Sequence, residues 1–89
     1  MNAKLEEILQ NPIRTILAVR ASFDYCENED DIQEVIKKIP DKFGSFQVIA
    51  ASQREGYFMI QNVFERDGIT KSQIVAHDFY NIEEDLYYE

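Results

Sequence analysis

Asp67-Gly68 stands between two long stretches rich in β-branched and aromatic residues, Tyr57 to Arg66 and Ile69 to Phe79. An Asp-Gly pair in that setting is a strong signal for a two-residue hairpin, because both turn residues must take positive φ. Setting Arg66 opposite Ile69 fixes the whole register. Phe64 then faces Lys71, Ile60 faces Val75 and Phe58 faces His77. On the other surface Val63 faces Ser72, Gln61 faces Ile74, Met59 faces Ala76 and Tyr57 faces Asp78. Phe58, Ile60, Phe64, Val75 and Phe79 share one face, and Met59, Val63, Ile74 and Ala76 share the other. A sheet with apolar residues on both sides must be covered on both, or must meet a partner on one. A third strand is expected over Ser45 to Gln53, joined to the hairpin by a turn at Arg54-Glu55-Gly56.

Two helices are predicted ahead of this meander. Asn28-Glu29-Asp30-Asp31 combines cap residues with acids in a first turn, where the helix dipole favours anions. Ile32, Val35, Ile36 and Ile39 follow at helical spacing, Lys37 and Lys38 sit near the end, and Pro40 stops the run. A shorter helix over Ala3 to Gln10 carries Leu5, Ile8 and Leu9, and Asn11-Pro12 ends it.

Between them, Ile13 to Tyr25 shows a period of two. Its odd positions are Ile13, Thr15, Leu17, Val19, Ala21, Phe23 and Tyr25, which predicts a half-buried strand. A helical reading competes, with Asn11-Pro12 as cap and first residue and Ile13, Ile16 and Leu17 on one face. It places Arg20 and Asp24 on the apolar stripe, so the strand is preferred. The expected fold is therefore α+β, one domain over residues 1–89. Its order is helix-strand-helix-strand-strand-strand, with a mostly antiparallel four-stranded sheet packed against helices. An acidic C-terminal tail or short helix from Asn81 to Glu89 closes the chain. Apolar residues at 45 % and aromatics at 12 % of 89 residues suffice for one small core.

The charge is lopsided. Nine Lys and Arg against 17 Asp and Glu leave −8, with a pI near 4.5. Two blocks create the whole excess. Residues 24–34 hold Asp24, Glu27, Glu29, Asp30, Asp31 and Glu34 and no base. Residues 78–89 hold Asp78, Glu83, Glu84, Asp85 and Glu89 and no base. Tyr25, Tyr80, Tyr87 and Tyr88 lie beside or within these blocks, and tyrosine is a common interface anchor. Such a surface repels nucleic acid and anionic membranes, and no apolar run is long enough to span a bilayer. The first residues are interrupted by acids and lead into no apolar segment, so no signal peptide is expected. Cys26 is the sole cysteine, which fits a reducing, cytoplasmic setting.

Catalytic and metal motifs are weak. One Cys and one His cannot build a zinc site. The run from Asp24 to Glu34 lacks the glycine and ligand spacing of a calcium loop. Gly44, Gly56 and Gly68 are turn residues, not a phosphate cradle. His77 and Asp78 are neighbours on a strand and point to opposite faces. His77 is expected to pack against Phe58, and Cys26 to be a half-buried structural thiol. No cofactor, metal or enzymatic activity is expected. What remains is a non-enzymatic acidic binding protein. It would occlude a basic, nucleic-acid-binding protein by electrostatic mimicry, as a phage anti-defence protein does, through Asp24, Glu27, Glu29, Asp30, Asp31, Glu34, Glu83, Glu84, Asp85, Tyr87 and Tyr88. The alternative is a small regulatory or assembly subunit that homodimerises, or joins a complex, through an apolar sheet face.

Overall fold

Three helices lie on one face of a three-stranded antiparallel sheet in the computed structural model, which describes residues 2–11 and 16–81. The helices are α1 (Ala3–Leu9), α2 (Ile16–Ala21) and α3 (Glu29–Lys38). A 3-10 turn (Asp41–Phe43) leads into β1 (Ser45–Ser52), β2 (Tyr57–Arg66) and β3 (Ile69–Asp78), in spatial order β1-β2-β3. The expected tail or helix, with Glu83, Glu84, Asp85, Tyr87 and Tyr88, lies outside the described residues.

The hairpin closes as its turn chemistry demands. Asp67 has φ 55° and Gly68 φ 78°, the positive pair of a type I′ turn. Arg66 pairs with Ile69, and the register runs unbroken to Tyr57 and Asp78, as expected from the sequence. β1 pairs with β2 from Ser45–Val63 to Ser52–Tyr57, with a register shift between Val48 and Ala50. Gly44 feeds β1 from a backbone at φ +90°, and a Cβ there would lie 2.2 Å from the Val63 carbonyl oxygen. Only glycine fits so close an approach.

α3 begins where its sequence says. The Asn28 side chain accepts from the Asp31 N–H at 3.0 Å, and the Asp31 carboxylate accepts from the Glu27 N–H at 2.9 Å. This reciprocal pair is close to a capping box and ties the preceding loop to the helix. Ile32, Val35 and Ile39 point into the core. On α1, the Asn2 side chain caps by accepting from the Leu5 N–H at 2.7 Å.

The expected strand over Ile13 to Tyr25 is not formed among the described residues. Ile16–Ala21 is helical and residues 22–25 form a turn, so the sheet has three strands there, not four. The buried residues are Val19, Ser22, Phe23 and Cys26, spaced i, i+3, i+4, i+7. Leu17, which a strand would bury beside Val19, is 73 % exposed. The stripe is also rotated from the one the competing helical reading used. Ser22 sits inside because its hydroxyl donates to the Val19 carbonyl, and Arg20 leans to the sheet, donating to Gln73 Oε1 at 2.6 Å. A polar residue satisfied locally breaks a pattern that counts only apolar side chains.

The core is thus a single layer between helices and sheet. Leu5, Val19, Phe23, Cys26, Ile32, Val35 and Ile39 meet Phe58, Ile60 and Val75. Phe23 contacts the rings of Phe46, Phe58 and His77 at 6.1–6.4 Å. After β3, the Phe79 N–H donates to Gly56 O and the Tyr80 N–H to Cys26 O, which pins the strand end to the loop before α3. Among the described residues no helix is long and apolar enough to cross a membrane.

Candidate functional site

The first acidic block lies on the helix layer. Its six carboxylates are not equivalent. Asp31 is 3 % exposed and is engaged by the Glu27 N–H. Asp24 Oδ1 lies 3.2 Å from His77 Nδ1. Glu34 Oε1 lies 3.3 Å from Lys37 Nζ. Glu27, Glu29 and Asp30 are exposed and form no ion pair among the described residues. The free negative charge of this block therefore narrows to these three, held at the start of α3 by the Asn28–Asp31 cap. Tyr25 and Tyr80, beside the block, contact each other with ring centroids 5.3 Å apart.

Cys26 is buried in the core, and His77 is half-buried beside it. Burial pushes the Cys26 thiol up to about 12, with Asp31 and Asp24 adding repulsion against the thiolate. A thiol held protonated at neutral pH is a poor nucleophile. His77 stacks on Phe58 at 5.7 Å and 28°, the packing expected from the register. Its Nε2 is buried without a hydrogen-bond partner. Among the described residues no group of three or more His, Cys, Asp or Glu could hold a metal ion.

The opposite sheet face is different in kind. Pleat alternation sets four cross-strand rows there. They read Ser52-Tyr57-Asp78, Ala50-Met59-Ala76, Gln47-Gln61-Ile74 and Ser45-Val63-Ser72. Of these twelve positions only Asp78 is charged, in a chain where 29 % of residues are, and the next row toward the hairpin, Glu65-Thr70, adds the Glu65 carboxylate at the edge of the same face. The middle rows are flat, with two alanines flanking Met59. Ile74 is 49 % exposed, Tyr57 37 %, and Ile49 beside the register shift 47 %. None of the described helices covers this face; their buried residues all meet the other one.

The sequence had already placed Met59, Val63, Ile74 and Ala76 on a second face. It missed the contribution of β1, because Ser45, Gln47 and Ala50 join that face only through a pairing that shifts by one residue near Ile49. No turn signal in the sequence marks that shift.

The chain matches no protein-family model, and no curated protein or solved structure is significantly similar to it.

Proposed function

We propose that this protein is a non-enzymatic assembly subunit that self-associates through the sparsely charged sheet face. The observation that carries the reading is charge segregation. A molecule of net charge −8 resists meeting a copy of itself wherever its acids lie. Here the first acidic block sits on the helix layer, and the twelve central positions of the sheet face bear one charge, Asp78, with Glu65 at its edge. Two copies stacked face to face keep Glu27, Glu29 and Asp30 outward and far apart, where salt screens them. The small Ala50-Met59-Ala76 row allows close approach, and sheets pack about 10 Å apart.

Geometry also sets the strength. Three strands about 4.8 Å apart, each about eight residues long, present roughly 400 Å² in projection. Standard stable interfaces bury about 800 Å² per partner. The dimer therefore belongs to the weak class, with Kd roughly micromolar. Sedimentation of the full chain across a wide concentration range tests this. The expected result is a reversible monomer–dimer equilibrium that is unchanged or tightened by raised salt. It is abolished by Ile74→Lys, an exposed position whose change leaves the fold intact. A monomer at every concentration, or a dimer indifferent to Ile74→Lys, overturns it.

A second reading rests on Glu27, Glu29 and Asp30, which remain outward in such a dimer. They favour a basic protein partner, whose surface a rigid acidic helix start would occlude. Neutralising the three to Gln, Gln and Asn should remove a partner that the wild-type chain captures at low salt and releases at high salt. Capture that survives the triple change refutes this reading.

A further inference from the structure

On the helix side of the sheet, away from the docking face, a cleft of about 340 Å³ opens between the first residue of α2, the 3-10 turn and the hairpin. Ile16, Phe43 and Phe64 give it apolar walls, and the amides of Asn62 and Gln73 form polar lining. Lys42 and Arg66 bring two positive charges, against one from Glu65. Glu65 occupies an odd position of β2, so the pleat directs it toward the other face. A cleft of this size with apolar walls and few polar groups is the usual form of a small-molecule site.

The polar lining is rigid. Asn62 is fully buried. Its amide donates to Phe43 O at 3.0 Å and Ser45 O at 3.1 Å, and its Oδ1 accepts from Gln73 Nε2 at 2.9 Å. Gln73 Oε1 in turn accepts from Arg20 Nη2. Arg20 forms no ion pair among the described residues, and its Nε is buried with no partner. A half-buried guanidinium without a counter-ion is costly. In this acidic chain, Lys42 and Arg66 line the cleft and Arg20 stands behind Gln73.

We infer that this cleft binds a small organic anion, a carboxylate or phosphate monoester carried on an aromatic or aliphatic body. The apolar part lies between Phe43 and Phe64, and the charge meets Lys42 and Arg66. Arg20 acts behind Gln73 by charge and by orienting its amide.

Amide NMR titration of the full chain tests this with phenyl phosphate and benzoate as probes, and with benzyl alcohol and benzylamine as uncharged and cationic controls. At least one anion should give saturable shifts centred on Phe43, Phe64 and the Gln73 side-chain amide, with Kd roughly millimolar. The double variant Lys42→Gln, Arg66→Gln, on exposed positions, should weaken it at least about five-fold, since exposed charges contribute modestly. Benzylamine should not bind. Absence of saturable shifts with both anions, equal binding of benzyl alcohol, or unchanged affinity in the double variant would each overturn the inference. None of these results depends on self-association, because the cleft faces away from the sheet surface that would carry the dimer.

Discussion

Removing the Asn62 amide should cost more than removing any exposed side chain of the sheet. Asn62→Ala deletes three hydrogen bonds, two that hold the Phe43 and Ser45 carbonyls and one to Gln73. Each is worth about 1 kcal/mol where the partner stays buried. The small space left in a fully buried site adds about 1 kcal/mol. Gln73 is half-buried and regains water, which offsets part of this, so the expected loss is about 3 kcal/mol. Asn62→Asp is the sharper probe. It keeps the shape but turns a donor toward two carbonyls into an acceptor. At neutral pH it buries a carboxylate with no cation, which should cost as much as the whole stability of a small domain, about 5 kcal/mol or more. Burial and facing carbonyls raise the folded-state pKa of that new carboxyl above its unfolded value of about 3.9. Its protonated form is the one the fold tolerates. Stability is fully present below the unfolded pKa and lost as pH rises through the folded one. Urea unfolding followed by circular dichroism should therefore show Asn62→Asp falling further behind Asn62→Ala between about pH 5.5 and pH 8. An Asn62→Ala protein within about 1 kcal/mol of wild type, or an Asn62→Asp protein equal to it at pH 8, would refute the reasoning.

Other outcomes follow from single observations. Val19→Ala should cost about 2 kcal/mol and Leu17→Ala less than about 0.5 kcal/mol, measured by the same unfolding, because only Val19 is buried; equal costs would restore a strand there. Cys26 should resist iodoacetamide at pH 8 until the chain unfolds. Burial pushes its folded pKa up to about 12 from an ordinary 9.0, so its contribution is present below about pH 9 and lost as pH rises toward 12. That is about 2 kcal/mol by pH 10.5, at about 1.4 kcal/mol per unit, and Cys26→Ala should remove this part of the alkaline slope. Gly44→Ala should unfold the protein or cost more than about 3 kcal/mol, since its Cβ would meet backbone at 2.2 Å. Gly68→Asn, at φ 78° with open space around it, should cost under about 1 kcal/mol, and thermal melts of the two separate these cases.

Local chemistry made much of this fold legible. Asp67-Gly68 dictated a turn with two positive φ values, and once the turn was fixed every hairpin pair followed. Asn28 and the Ile32 stripe did the same for α3. What stayed hidden depended on contacts distant in sequence. The segment before Tyr25 carries a weak period of two and a weak period of 3.6. The choice between them is made by Phe23 meeting Phe46, Phe58 and His77, none of them near it in sequence. The charge pattern was visible, but not that Asp31 turns inward to hold a loop while Asp24 is held by His77. The sparsely charged sheet face was half visible in β2 and β3, and needed β1 and its register shift to become continuous.

An isotope-filtered nuclear Overhauser measurement on a mixed dimer, one copy labelled and one not, reads the contact surface itself. Met59 of one molecule should show cross-peaks to the methyl groups of Ala50, Ile74 and Ala76 in the other. Cross-peaks that instead connect α3 or the strand edges, or none under conditions where sedimentation shows two copies joined, would contradict the account.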